Sequence, residues 1–324
     1  MTLLRRPAAA AALALAAVYV IWGSTYLGVA VAVRSIPPLL MLSLRFLVAG
    51  AILYAWSVRR GDRDGDRPGL RQWRAASIVG GLLLFVDTGL VAWAVKRGLD
   101  TGLAALLCAT IPLWLVGIDG IVSGKRLTRG KVAGIAVGLV GVAVLVGPSA
   151  SGLDLPAVLA VLVGTIAWAA GSLYARSAPL PRRPNVGAGM EMIAAGVFLA
   201  IAGSATGELG QLHPTHVPLS ALGAVLYLIV FGSLLAYTAY GWLLRNVSTA
   251  VVSTHAYVNP VVAVALGAAV LGEPVTGSTI FAGLLVVLSV VLIIGVPKRR
   301  KRAPMPRPIG LATPRLEEFS RLAA

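Results

Sequence analysis

The chain has 324 residues, 58% of them hydrophobic and only 12% charged, about half the charged share of an ordinary soluble domain. With a mean hydropathy of +0.87, that composition excludes a water-soluble fold, whose surface would need far more polar side chains. Lys and Arg outnumber Asp and Glu by 28 to 12, a formal charge of +16, and the single cysteine, Cys108, excludes a disulfide framework, a CxxC redox pair and a thiolate metal site.

A bilayer core about 30 Å thick takes about 20 apolar residues per helix. Cut at its polar or Pro/Gly-rich breaks, the chain yields ten such runs, near Ala8 to Val33, Pro38 to Val58, Trp73 to Val95, Thr101 to Val122, Lys131 to Val146, Pro156 to Ser177, Val186 to Ala205, Leu219 to Leu244, Thr249 to Leu271 and Ser278 to Val296. The expected fold class is an all-α polytopic membrane protein with ten transmembrane helices. Arg5 and Arg6 ahead of the first run imitate a signal peptide, with Ala30-Val31-Ala32 as a cleavage pattern. A signal h-region spans only about 7 to 15 residues, so the longer run predicts an uncleaved first helix.

The charges orient the spans. Loops on one side hold 24 of the 28 basic residues, eight of them from Lys298 onward; Arg34, Lys96 and Arg97 fall on the other side and Arg45 lies inside a span. By the positive-inside rule both termini face the cytoplasm of a multi-pass plasma-membrane protein, in a bacterium the inner membrane. The run Lys298-Arg299-Arg300-Lys301-Arg302 reads as a topology label that also attracts anionic lipid, not as a nucleic-acid site.

The chain also repeats itself. Trp22-Gly23-Ser24-Thr25-Tyr26 in the first run is echoed 146 residues later by Trp168-Ala169-Ala170-Gly171-Ser172-Leu173-Tyr174 in the sixth. At that offset Arg45-Phe46-Leu47-Val48-Ala49-Gly50 faces Glu191-Met192-Ile193-Ala194-Ala195-Gly196. At 148, Thr110-Ile111-Pro112 faces Val258-Asn259-Pro260, and Gly124 and Thr128 face Gly272 and Thr276. The implied organisation is a cytoplasmic N-terminus (1–9), a first repeat (10–147), a linker (148–155), a second repeat (156–296) and a basic tail (297–324). Five spans per unit is an odd number, so the second copy enters the membrane from the opposite side. Such inverted repeats are the construction of secondary transporters, with substrate bound near the midplane.

In these residues the chain resembles the drug/metabolite transporter superfamily, its paired five-helix units being similar to two EamA domains. Ile21-Trp22-Gly23-Ser24-Thr25-Tyr26, Pro37-Pro38 followed by Arg45-Phe46, Glu191-Met192, and Ala256-Tyr257-Val258-Asn259-Pro260-Val261-Val262 resemble more narrowly the YedA-type exporters of that family. The resemblance covers about residues 10 to 296. It implies a ten-helix bundle with cytoplasmic termini, alternating access and export of small metabolites or drugs. Helices one to four and six to nine would line the cavity, with five and ten outside. Family members often carry an acid after the fourth and ninth helices; here Gly272-Glu273-Pro274 keeps it but Gly124-Lys125 does not, which argues against a symmetric role.

Ionisable groups inside a bilayer cost about 2.5 to 3.5 kcal/mol each, so each needs a reason. Arg45, Asp87 and Glu191 lie deepest, with His255 as a titratable fourth. Arg45 and Glu191 hold equivalent positions in two inverted helices, so a pseudo-twofold axis brings them together, either as a static bridge or as a pair that a proton or a charged substrate can break. Glu191 is the preferred proton acceptor. Asp87, which precedes Thr88-Gly89, either lines the cavity or bonds a Thr hydroxyl or helix terminus nearby, and Asp119, near a span end, snorkels. His255 is poised to carry a proton near neutral pH or satisfies a local hydrogen bond. Pro112 and Pro260 break helices in equivalent places, as cavity-lining hinges or as incidental kinks, with Asn259 beside the second.

Trp22 and Trp168 repeat across the halves and suit substrate contact or helix packing. Ser24, Tyr26, Ser172 and Tyr257 complete the expected cavity lining. Gly130, Gly134 and Gly138 form a small-residue face for close helix approach within the protomer or in a homodimer. No metal motif, Walker run or cofactor signature is present. Ser24 or Ser172 with His255 would be the only material for a hydrolase, without the GxSxG elbow. The expected function is therefore a secondary transporter exporting a small-molecule substrate, with proton antiport as its drive. An uncoupled facilitator or uptake carrier for an amino-acid-like metabolite is the alternative within transport, and a scaffold the alternative outside it.

Overall fold

The computed structural model describes residues 5–60, 68–124, 127–146, 154–247, 249–252 and 254–294, and among these the regular structure is entirely helical. Lys125, linker residues 148–153 and the basic tail from Lys298 onward lie outside the described residues.

In chain order the longer helices are α1 (Arg5–Val33), α2 (Pro38–Arg59) and α3, which runs Leu70–Gly80, widens into a π-helical stretch Gly81–Asp87 and continues as Thr88–Lys96. Next come α4 (Thr101–Cys108, then Ile111–Ser123), α5 (Arg129–Val146), α6 (Leu155–Ala175) and α7 (Pro184–Ala205). α8 runs Leu219–Tyr227, widens at Leu228–Leu235 and continues as Ala236–Asn246; α9 runs His255–Leu266 and Gly267–Leu271; α10 spans Gly277–Ile294. Among the described residues seven helices are long and apolar enough to cross a membrane: Ala9–Val33, Pro38–Arg59, Leu70–Lys96, Thr101–Ser123, Leu155–Ala175, Pro184–Ala205 and Leu219–Leu243. His255–Leu271 and Gly277–Ile293 are apolar but shorter. The chain is thus a polytopic all-α membrane protein.

Local sequence sets the ends. Pro38, Pro156 and Pro184 stand in the first turn of α2, α6 and α7, where a missing amide hydrogen costs nothing and the fixed φ is already helical. Gly124 and Gly272 close α4 and α9 with φ of +64° and +71°, the left-handed conformation glycine adopts most cheaply.

The two equivalent prolines do not act alike. At Pro112 the helical hydrogen-bond ladder breaks at a turn through Ala109 and Thr110 and restarts, with Pro112 in the new first turn and the Thr110 hydroxyl donating to the Leu107 carbonyl at 2.6 Å. Pro260 instead sits inside a continuous helix, and the interruption in that region comes earlier, at Thr254.

Close packing follows small residues, as expected where lipid removes any hydrophobic drive between helices. α2 runs antiparallel to α7. A Cβ on Gly50 would lie 2.9 Å from the Gly189 carbonyl and the Ile193 amide, and one on Gly189 would lie 2.8 Å from the Tyr54 amide. Ser43 adds a hydrogen bond to the Gly196 carbonyl at 2.9 Å. The glycine face of α5 packs on α10, where Cβ atoms on Gly134 and Gly138 would lie 2.9 Å from the Ser289 carbonyl and 2.6 Å from its hydroxyl. That face is therefore taken up within the protomer.

The main partnerships between the first five helices and the last five pair α2 with α7, α4 with α9 and α5 with α10; α1 packs on α8 and α9, α6 on α3 and α4, α3 on α7 and α8 on α2. Replacing each helix by the one five places along returns the same set.

On the side that the basic loops leave, second-half carboxylates cap first-half helices. Glu208 accepts from the Leu39 and Leu40 amides at the start of α2, at 3.3 and 3.0 Å. Glu273 accepts from the Thr101 amide and hydroxyl, both 2.8 Å, and from the Gly102 amide at 3.2 Å, at the start of α4. Lys96 donates to the Val33 carbonyl at the end of α1, at 2.6 Å. Asp154 caps α6 and is paired with Arg97; that hydrogen bond holds the Asp154 carboxyl below the usual carboxylate range.

Candidate functional site

Where α1 crosses α8 and α9, four rings assemble from both halves of the chain. Trp22 lies edge-on to Tyr237 (centroids 5.6 Å apart, 71°) and to His255 (5.3 Å, 69°), and tilted against Tyr240 (5.0 Å, 44°); Tyr240 also meets His255 at 5.7 Å. The indole Nε1–H of Trp22 donates to the Gly232 carbonyl at 3.3 Å, and His255 Nδ1 lies 2.8 Å from the Val252 carbonyl. All four side chains are half-buried, an apolar box with polar edges suited to holding part of an organic solute.

Arg45 approaches the same region from α2. It is 5% exposed, its Nε–H donates to the Ser233 hydroxyl at 3.0 Å, and its guanidinium lies 4.9 Å from the centre of the Phe46 ring. Ser233 belongs to the widened stretch of α8, and Tyr237, one turn on, is within electrostatic reach of Arg45, Glu191 and Asp87. π-Helical turns of this kind often occur at functional sites because the extra residue re-aims the side chains that follow.

No ion pair joins Arg45 to Glu191 among the described residues, contrary to the sequence expectation. The reason is depth. Equivalent residues of antiparallel helices meet only at the crossing point, and Arg45 comes level with the neighbourhood of Gly196, four to five residues beyond Glu191. At 1.5 Å per residue that separates them by about 7 Å along the axis. Glu191 lies instead against α3, where a Cβ on Gly80 would run into the Glu191 carbonyl group, and its side chain is half-buried.

Asp87 ends the widened stretch of α3 and is 5% exposed, with Oδ1 lacking any hydrogen-bond partner among the described residues. It faces Gly164 of α6, and Tyr26 and Cys108 lie within its electrostatic reach. Thr88 does not hold it; the Thr88 hydroxyl donates to the Leu83 carbonyl. Asn259 Oδ1 is likewise buried without a partner among the described residues, and the Asn259 carbonyl closes on Gly23 of α1.

Other expected lining residues lie apart from the ring cluster. Ser24 bonds the Val20 carbonyl at 2.7 Å and the Tyr227 hydroxyl at 2.6 Å. Tyr257 points its hydroxyl at the Val290 carbonyl of α10. Trp168 packs half-buried against the main core, and Ser172 follows Gly171, which fits against Leu82 and Leu83 of α3. Pro112 begins the second segment of α4. Asp119 pairs with Arg176 at 3.5 Å, both largely exposed. Among the described residues no group of three His, Cys, Asp or Glu converges as a metal site.

Sequence reasoning missed Ser233, Tyr237 and Tyr240 as one unit. They stand at i, i+4 and i+7 along α8, one polar stripe on an apolar helix, and that spacing was the available signal.

The fold is that of a polytopic all-α membrane protein. The profile of the EamA-like transporter family matches the chain twice, at residues 9–147 and 155–295, and the chain belongs to that family; it is a transporter and not an enzyme. It is 42% identical over 281 residues to the "Uncharacterized inner membrane transporter YedA" of Escherichia coli K12, covering 86% of this chain and 89% of that one. It is 27% identical over 299 residues to a "Probable amino-acid metabolite efflux pump" of Salmonella typhimurium, covering 87% and 94%. A solved structure titled "Crystal structure of protein" superposes with a TM-score of 0.60 at 22% identity, covering 88% of this chain and 97% of that one, a likeness of fold.

Proposed function

We propose that the protein is an inner-membrane exporter of small organic metabolites, working by alternating access between two inverted five-helix repeats, with both termini in the cytoplasm. The observation that carries this reading is the ring cluster: Trp22 comes from the first half, and Tyr237, Tyr240 and His255 come from the second. A site built across the halves changes shape whenever they rock, which is what a carrier needs. The twofold family match and the exchangeable helix partnerships support the duplicated, ten-span architecture. The location and topology are supported by the named inner-membrane relative and the basic loops.

Arg45 supplies a fixed positive charge for a carboxylate, the rings supply apolar and cation–π surface, and the Salmonella relative is named for amino-acid metabolites. The substrate class is accordingly amino-acid-like or amphipathic. Half-buried Glu191, in reach of Tyr237, takes the proton in exchange.

The test is uptake of labelled amino-acid metabolites into inverted membrane vesicles, with and without an imposed proton gradient. Accumulation that follows the gradient and falls with Trp22→Ala, through a raised KM, supports the reading. Rates indifferent to the gradient overturn antiport and leave a facilitator; uptake unchanged by Trp22→Ala removes the ring cluster from the binding site.

A further inference from the structure

We propose that Asp87 is a second proton site, over which the α3–α6 interface closes only when the carboxyl is neutral. This deepens the exporter reading and locates an interlock that Glu191 does not supply.

Three observations converge on it. Asp87 is 5% exposed and its Oδ1 is sealed, with no hydrogen-bond partner among the described residues. The π-helical stretch Gly81–Asp87 ends on this residue, and α8 widens at Leu228–Leu235, 147 residues on, so the bulge that sets its direction recurs in both halves. Opposite stands Gly164 of α6, where a Cβ would come to 3.0 Å from both the Cα and Oδ1 of Asp87; only glycine leaves the carboxyl room.

The titratable groups within electrostatic reach of it are the Tyr26 hydroxyl from α1, the Cys108 thiol from α4 and the Tyr237 hydroxyl from α8. From α7, Glu191 packs on Gly80 two turns away, and α6 presents Gly164. Arg45, the buried cation within reach of Tyr237, is turned to Ser233 and forms no ion pair with Asp87 among the described residues. A carboxylate without partner or counter-ion in such a place is too costly to keep charged. Its occupant must be a cation small enough for a sealed oxygen. An organic ammonium is too large, and a proton fits.

The coupling follows from where the walls belong. Asp87 is in the first half of the chain and Gly164 in the second. Water reaches Oδ1 only when α3 and α6 part, and in the proposed carrier cycle parting them is the motion that alternates access. A proton bound at Asp87 thus permits closure and its loss forbids it. No covalent step is involved; one proton moves between water and Oδ1.

The test is the thermal unfolding midpoint of the detergent-solubilised full-length protein between about pH 5 and pH 9, for wild type and Asp87→Asn. A proton taken up preferentially by the folded state stabilises at low pH and is lost as pH rises, so the wild-type midpoint should fall relative to that of Asp87→Asn. Parallel profiles overturn the proposal. Should Asp87→Asn fail to fold, infrared spectra of wild-type protein with carboxyl-labelled aspartate decide: a protonated-carboxyl stretch persisting at neutral pH supports the site, and its absence refutes it. Neither measurement involves transport, so a gradient-independent carrier with the pH signature intact would overturn the antiport reading alone.

Discussion

Arg45 on α2 directs its Nε–H into the hydroxyl of Ser233 on α8, 3.0 Å away, and this contact joins the two halves beside the ring cluster. Both residues are buried, so removing the acceptor strands a charged donor. Ser233→Ala should lower stability by about 1–3 kcal/mol and raise KM for the exported solute. Ser233→Thr keeps the hydroxyl and should retain more of both. Equal midpoints for Ser233→Ala and wild type would show that the guanidinium finds another partner.

Glycines at helix crossings make sharper predictions. Gly80→Ala drives a methyl into the Glu191 backbone, with its Cα at 2.9 Å, whereas Gly117 and Gly223 have nothing among the described residues within 4 Å of an added Cβ. Overpacking costs about 1–3 kcal/mol when side chains must move, and more where the obstacle is backbone. Gly80→Ala should give little monodisperse protein on size exclusion, and Gly117→Ala and Gly223→Ala should elute as wild type does. A well-behaved Gly80→Ala would mean that α3 and α7 separate freely.

The Glu273 cap separates geometry from charge. Glu273→Ala leaves the Thr101 and Gly102 donors open and should cost about 0.5–2 kcal/mol, the usual value of an N-cap. Glu273→Gln keeps an acceptor but loses the attraction to the helix dipole, worth about 0.3–1 kcal/mol. Midpoints should fall in the order wild type, Gln, Ala; the reverse order for the two variants would contradict the cap.

Acid should act at Asp154. Arg97 holds this carboxyl below the ordinary range, so its contribution is present above the unfolded-state value and is lost as pH falls through the depressed folded value. The gap in midpoint between wild type and Asp154→Asn should hold steady from neutral pH down to the ordinary carboxylate range and narrow below it. A gap that widens in acid would reverse the assigned shift.

Much of the helix plan was readable in advance, because a lipid-facing helix must be apolar over its whole length. The run expected from Pro38 to Val58 is the helix Pro38–Arg59, and that from Val186 to Ala205 is Pro184–Ala205. Three things were not readable. The widened turns at Gly81–Asp87 and Leu228–Leu235 depend on hydrogen-bond register, to which hydropathy is blind. The separation of Arg45 from Glu191 depends on where two antiparallel helices cross, and repeat equivalence fixes position along each helix without fixing that point. Pro112 and Pro260 share a repeat position, yet one starts a helix and the other is carried within one, because their neighbours differ.

The caps at Glu208 and Glu273 bear on the order in which the protein is made. α2 and α4 leave the ribosome long before the carboxylates that close their N-termini, so amides of Leu39, Leu40, Thr101 and Gly102 stay open through much of synthesis. The amino-terminal half is consequently an unfinished object until the carboxy-terminal half joins it. Split into two polypeptides, the halves should mature only when co-expressed.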